Sequence, residues 1–241
     1  MEETSSRPPE KRLLPRHIGI IMDGNRRWAK AKRIPVELGH QTGAKVVGKI
    51  IRHCKNLGIP YVTFYTLSTE NWKRPQKEVD ALLDLLRRYL DNLDEYLQEN
   101  ARLQVLGDPS PFPWNLRETL RKAQEQSKDN TAITVNLALN YGGRAEIMAG
   151  VRRLAKECAA GEINPDCLTE DDLSRRLYTA GQPDPDLIIR PSGEQRLSNF
   201  LLWQAAYSEL VFLEVLWPDF TPEHLNYALH QYARRERREG R

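Results

Sequence analysis

Cysteine is scarce in this chain. Only Cys54, Cys158 and Cys167 occur in 241 residues. An odd, sparse set excludes a disulfide framework and fits a reducing compartment. No pair has zinc-finger spacing. Long apolar runs are missing too, and none approaches the roughly 18 residues a membrane-spanning helix needs. The first sixteen residues are polar and rich in Pro and Arg, with no apolar secretory core. A cytoplasmic location follows as an expectation, with any membrane contact peripheral, against the inner face. Charge of one sign is also lacking. The net charge of +3 is too weak to imply a nucleic-acid partner. The basic end Arg234–Arg241 is broken by Glu236 and Glu239 and reads as a solvated helix end. Nucleotide devices are absent: there is no Gly-x-x-x-x-Gly-Lys-Ser/Thr loop and no Gly-x-Gly-x-x-Gly after a strand. Internal repeats and long linkers are absent as well.

What is present is a regular alternation. Apolar strand-like runs at His17–Asp23, Tyr61–Ser68, Leu103–Asp108, Ala132–Tyr141, Leu187–Arg190 and Leu210–Leu216 alternate with amphipathic stretches near 25–33, 42–57, 76–99, 114–127, 144–159 and 169–180, and a last helix starts near Thr221. This rhythm predicts a single α/β domain with a central, mostly parallel six-stranded sheet flanked by helices. Residues 1–15 are expected to be a flexible N-terminal segment and 16–241 the functional domain. Ligands of such sheets bind beyond the C-terminal strand ends.

Those ends carry unusual residues. The first run closes on Asp23, and Gly24-Asn25-Arg26-Arg27-Trp28 opens a helix. A helix start offers free N–H groups and a positive dipole end to a diphosphate. Arg26 and Arg27 add charge-assisted donors. Asp23 would repel that anion unless a cation lies between them, as magnesium does with one or two carboxylates plus substrate phosphates. Asp23 as a plain helix cap is the competing reading. The second run ends Ser68-Thr69-Glu70-Asn71-Trp72-Lys73-Arg74-Pro75, either a binding loop or a capped connection. The fifth ends Arg190-Pro191-Ser192-Gly193-Glu194 with Arg196 and Ser198 following, a second anion cradle or a surface salt-bridge cluster. Glu209, before the last strand, is a second metal carboxylate or an ordinary surface acid. The helix with Val79, Leu83, Leu86, Leu90, Leu93 and Leu97 at 4-3-4-3-4 spacing is a core helix, a coiled-coil seam or one wall of an apolar tunnel. Two anion cradles without a nucleotide loop, beside so apolar a helix, point to lipid diphosphates.

Taken in order, His17–Trp28, Gly39-His40, Ser68–Pro75, Asn140-Tyr141-Gly142-Gly143-Arg144, Ile189–Gln204 and Leu216-Trp217-Pro218-Asp219-Phe220 resemble the undecaprenyl diphosphate synthase family from about residue 16 onward. The paired Asp-rich motifs of the helical trans-prenyltransferases are absent. The resemblance implies a cis-prenyltransferase with a hydrophobic tunnel between sheet and helices. The implied reaction is magnesium-dependent condensation of isopentenyl diphosphate with an allylic diphosphate, giving a long polyprenyl diphosphate of the undecaprenyl class. A homodimer is implied, with one site per subunit. Asp23 would organise Mg2+ with Glu209 as second carboxylate. Gly24, Asn25, Arg26, Arg27, Trp28, His40, Ser68, Glu70, Trp72 and Arg74 match the allylic-diphosphate positions, and Asn71 stands beside Asp23 in the catalytic set. Arg190, Arg196 and Ser198 match the isopentenyl diphosphate site, to which Arg238 of the partner subunit is added. Val36 stands where the family has Arg, and Arg26 where many bacterial members have Gly. Three rivals are weaker. A haloacid-dehalogenase-like hydrolase needs Asp where Asn25 stands. A scaffold subunit typically lacks the Asp kept here as Asp23. A shorter-chain synthase would carry a bulkier residue than Thr66.

Overall fold

The computed structural model describes residues 8–10, 13–91 and 99–235. Parts of the expected N-terminal segment, Leu93, Leu97 and Arg238 fall outside the described residues.

Six strands form one sheet: β1 (His17–Ile21), β2 (Tyr61–Ser68), β3 (Ala101–Leu106), β4 (Ile133–Tyr141), β5 (Leu187–Pro191) and β6 (Glu209–Leu213). Their order is β3-β4-β2-β1-β5-β6, and every pairing is parallel rather than mostly so. Parallel strands need helical crossovers, which cover both faces of the sheet. These are α1 (Asn25–Ala31), α2 (Val36–Leu57), α3 (Gln76–Asp91), α4 (Trp114–Ser127), α5 (Gly143–Ala159), the short α6 (Glu170–Ser174) and α7 (Pro222–Arg234). Covered on both sides, β1 and β5 are buried at every residue. That is why they read as continuous apolar runs with no alternation.

One polar network is buried within the sheet. His17 Nδ1 donates to Pro183 O and its Nε2 accepts from Thr63 Oγ1, each at 2.7 Å. Asn136 donates to Thr63 Oγ1 at 2.9 Å and to Gln182 Oε1 at 2.7 Å. These bonds satisfy groups that would otherwise be costly to bury and tie the 182–186 segment to the strands.

Helix α2 begins at Val36, one and a half turns before the expected start. This first part of α2 includes Gly39 and, one turn on, Gly43. A Cβ on Gly39 would stand 2.5 Å from Asn25 O, and one on Gly43 2.2 Å from Asn25 Oδ1. Their absence of side chains lets α2 press against the start of α1, which fixes Asn25 beside the sheet edge. The expected helix at 169–180 is short, ending at Ser174, and turns follow it.

Candidate active site

The chain runs from β1 to β2 on one side and from β5 to β6 on the other, so β1 and β5 flank the switch point of the sheet. Open α/β sheets bind ligands in that crevice. Asp23 follows β1 there, and Arg190 and Ser192 close β5. Arg190 Nη2 donates to Asp23 Oδ2 at 2.8 Å and Ser192 Oγ donates to the same oxygen at 3.0 Å. Arg190 is 5% exposed, so its charge requires this partner. Its other amino group donates to Ser198 Oγ at 2.7 Å and to Arg196 O at 2.5 Å. Partial burial pushes the Asp23 carboxyl up, but the Arg190 and Ser192 hydrogen bonds and the Arg190 and Arg27 charges outweigh it and leave its pKa below the ordinary value. Asp23 is an ion-pair centre and not merely a cap.

Every arginine here is held by a carboxylate. Arg27 lies 3.6 Å from Asp23 Oδ2 and 3.6 Å from Glu194 Oε1, and donates to Ser192 O at 3.0 Å. Arg196 pairs with Glu194 at 2.5 Å. Arg26 and Arg74 share Glu78 Oε1, at 3.3 and 2.8 Å. Such pairs are half open to solvent and individually weak. A diphosphate with more charge and more oxygens can replace the carboxylates as acceptor.

Behind the arginines lies a cavity of about 270 Å³ between the sheet and helices α2 and α3. Asp23, Asn25, His40, Ser68, Asn71, Arg74, Arg190 and Ser198 line its polar end. Val47, Leu82, Leu85, Leu86, Tyr89 and Leu137 line the apolar remainder. The structure thus brings eight of the expected residues to one cavity. His40 Nε2 and Asn25 Oδ1 are buried without a partner among the described residues. Burial, then the neighbouring Arg74 charge, drives the His40 pKa down to about 4, so the ring is neutral at pH 7.

Other expected residues lie elsewhere. Gly24 turns the chain at φ 107° ahead of α1. Arg26, Arg27 and Arg196 stand at the rim. Trp28 is buried, with Lys32 Nζ 4.6 Å from its ring centroid. Trp72 donates to Asn140 Oδ1 at 2.6 Å, and Glu70 Oε1 accepts from Asn199 at 2.8 Å. Neither Trp28, Trp72 nor Glu70 reaches the cavity. Glu209 opens β6, opposite Leu187, and pairs with Arg235 at 2.5 Å. In a parallel sheet that is the N-terminal edge, the opposite edge from Asp23 of the same chain. No cluster of three or more His, Cys, Asp or Glu suited to a metal occurs among the described residues.

Tyr65 was not singled out by the sequence, yet it lines the cavity and its hydroxyl lies 3.3 Å from Ser198 O. Consecutive residues Tyr65, Thr66, Leu67 and Ser68 all reach the cavity because the β2–β4 register shifts after Tyr65 and again after Leu67. Strict alternation hides this.

Comparison with known proteins agrees with the geometry. The family model described as undecaprenyl diphosphate synthase matches residues 21–240. An isoprenyl transferase of Clostridium perfringens is 50% identical over 94% of this chain and 90% of its own length. One of Halalkalibacterium halodurans is 48% identical over 98% and 93%. Among solved structures, lavandulyl diphosphate synthase from Lavandula x intermedia, in complex with dimethylallyl diphosphate, superposes with a TM-score of 0.93 at 36% identity, covering 95% of this chain and 100% of that one. A protein of Campylobacter jejuni described as a probable undecaprenyl diphosphate synthase gives 0.79 at 34% identity, covering 94% and 99%.

Proposed function

The chain belongs to the undecaprenyl diphosphate synthase family of prenyltransferases, and from that premise we propose that it joins isopentenyl diphosphate to an allylic diphosphate, repeatedly, with cis geometry, to build a long polyprenyl diphosphate. The observation that carries this reading is the chain of contacts Asp23–Arg190–Ser198 opening directly into an apolar cavity. A diphosphate meets the charged end while its hydrocarbon tail is buried, at roughly 0.8 kcal/mol per methylene.

The allylic diphosphate is held by Arg27, Arg26 and Arg74 at the mouth. The isopentenyl diphosphate is held by Arg190, Arg196 and Ser198. Holding the two against each other is the positioning part of catalysis. Charge grows on the departing diphosphate as the allylic C1–O bond breaks, and the fixed arginines stabilise it. The donor set also suits Mg2+. The Asp23 carboxylate accepts from Arg190 and Ser192 at Oδ2, and Asp23 would hold the cation together with the substrate. Bound there, Mg2+ supplies further charge stabilisation to the leaving group. Asn71 and Ser68 line the cavity near this centre and orient the reacting groups; the proton lost in forming the new double bond goes to a diphosphate oxygen.

Thr66 lines the cavity with a small side chain, which supports a long product such as undecaprenyl diphosphate, precursor of the cell-wall lipid carrier, made from farnesyl diphosphate. A homodimer working in the cytoplasm, with loose contact to the inner membrane face, completes the reading. Arg238 lies outside the described residues, and deleting residues 238–241 tests its part in isopentenyl diphosphate binding. No helix among the described residues is long and apolar enough to cross a membrane. The decisive experiment incubates the protein with labelled isopentenyl diphosphate, farnesyl diphosphate and Mg2+ and sizes the products. Long products that vanish with a chelator support the reading. Products of three or four isoprene units assign a short-chain synthase, and no condensation refutes the reading altogether.

A further inference from the structure

The 68–74 loop presents a puzzle. Its Ser68, Asn71 and Arg74 line the cavity, whereas Glu70 and Trp72, on either side of Asn71, turn away from it. Both of those side chains end on asparagines of other segments. We infer that Asn199 and Asn140 are positioning residues that clamp this loop over the reacting centre, with Glu70 and Trp72 serving as the loop's anchors. The inference rests on the functional reading above and assigns these four residues a task within it.

Asn199 sits at φ 67°, between Ser198 at 50° and Leu201 at 44°. Left-handed backbone is unfavourable for residues with side chains, and Asn tolerates it better than most. Such clustered strain persists only where the surroundings over-determine it. Here they do. Asn199 O accepts from Gly143 N at 2.7 Å, and Oδ1 accepts from Arg144 N at 2.9 Å. These are free N–H groups at the start of α5. Nδ2 donates to Glu70 Oε1 at 2.8 Å. One short amide therefore joins three segments: the β4–α5 turn, the 68–74 loop and the strand end that carries Arg196 and Ser198. Gly142 makes the junction possible. A Cβ there would stand 2.7 Å from both Asn199 Nδ2 and Thr69 Oγ1.

Asn140, near the end of β4, repeats the arrangement. Its φ is 45°. Its Oδ1 accepts from Trp72 Nε1 at 2.6 Å, and its Nδ2 donates to Asp108 O at 2.8 Å. Asn71 is thus held between two anchored neighbours, and its own amide accepts from Ser68 N at 3.0 Å. The requirement for asparagine follows from the bonds. Each position needs an acceptor and a donor on a short side chain. Aspartate at 199 would set two carboxylates against each other.

The consequence is that the loop lining the allylic end and the segment lining the isopentenyl end share one fixed point. Both diphosphate sites should then respond to a change at a residue that touches neither substrate.

The test is steady-state kinetics on wild type, Asn199→Gly, Asn199→Asp, Glu70→Ala, Glu70→Gln and the Asn199→Gly/Glu70→Ala double variant, with unfolding curves for each. Glycine keeps the left-handed backbone and removes only the amide. Loss of a hydrogen bond to a charged group predicts a fall in kcat/KM on the order of tenfold or more for both substrates. Glu70→Ala should match it. The double variant should be no worse than either single one, and Glu70→Gln, which keeps an acceptor, should retain most activity. Wild-type kinetics in Asn199→Gly, or single losses that multiply in the double variant, would overturn the clamp. Glu70→Ala carries the same prediction should Asn199→Gly not fold. A wild-type chain that elongates nothing overturns the functional reading and the clamp with it. An active wild type with insensitive variants overturns the clamp alone.

Discussion

Asp23 and Arg190, 167 positions apart, meet across the seam between β1 and β5 through a 2.8 Å hydrogen bond. Neither strand alone makes a site. Their parallel pairing, Ile18 with Leu187 and Ile20 with Ile189, sets both C-terminal ends at the same level. The carboxylate then organises the arginine, and the arginine reaches Ser198.

Removing the Asp23 charge should affect turnover far more than folding. Asp23→Asn keeps the shape but leaves Arg190 buried without its counter-charge. After allowance for the partial exposure of Asp23, that costs about 2–3 kcal/mol of stability. Turnover should fall by several orders of magnitude, since leaving-group stabilisation is lost. The lowered Asp23 pKa means its contribution is full above the ordinary value of 3.8 and disappears as pH falls through the folded-state value. Turnover within tenfold of wild type, or turnover indifferent to chelator, would refute the role.

Acid should unfold the protein partly through His17. Burial holds its pKa down to about 4, against 6.5 for the free group. Between those values the unfolded chain binds a proton that the folded chain does not, so stability falls as pH drops from 6.5 to 4. The loss by pH 4 is on the order of 3 kcal/mol. Urea midpoints at pH 7.5, 5.5 and 4.5 measure it. A variant such as His17→Asn should be less stable at pH 7.5 but flatter across this range. An equally steep dependence in that variant would assign the effect to other groups.

Arg26 should matter for one substrate and not the other. It pairs with Glu78 at the α1–α3 rim of the mouth, away from the Arg190 cluster. Arg26→Gly should raise KM for the allylic diphosphate several-fold, since charge-assisted hydrogen bonds contribute about 1.5–3 kcal/mol at most and this one is half exposed. The KM for isopentenyl diphosphate should stay near wild type. Equal changes in both would contradict the separation of the two sites.

Product length should respond to Thr66. It lines the cavity beside Tyr65 and Leu67, whereas Leu139 is fully buried and does not. Thr66→Leu should shorten the product by one or more isoprene units while the first condensation continues. An unchanged length distribution would mean that the growing chain passes elsewhere.

The order of strands and helices could be read from sequence because both encode burial locally. β1 and β5 are buried on two faces and show as unbroken apolar runs. α4 matches its expected span, Trp114–Ser127, because its apolar positions keep helical spacing. Asp23, Arg190 and Ser198 were legible for a related reason. Charged and polar residues directly after an apolar run mark a C-terminal strand end, where a parallel sheet places its ligands.

What the sequence leaves open is whatever depends on contact between distant segments. It marks Trp28, Glu70 and Trp72 within motifs, but a motif does not say which way a side chain points. Trp28 is buried, Glu70 meets Asn199 and Trp72 meets Asn140. It marks Glu209 by type, but only the parallel register puts that residue at the opposite edge from Asp23. It carries Gly39 and Gly43 without their partner, and only the packing of α2 on Asn25 shows why neither position takes a side chain. Secondary structure follows from residues a few positions apart. The site follows from strand order, register and close approach, and those are fixed only when the whole sheet is assembled.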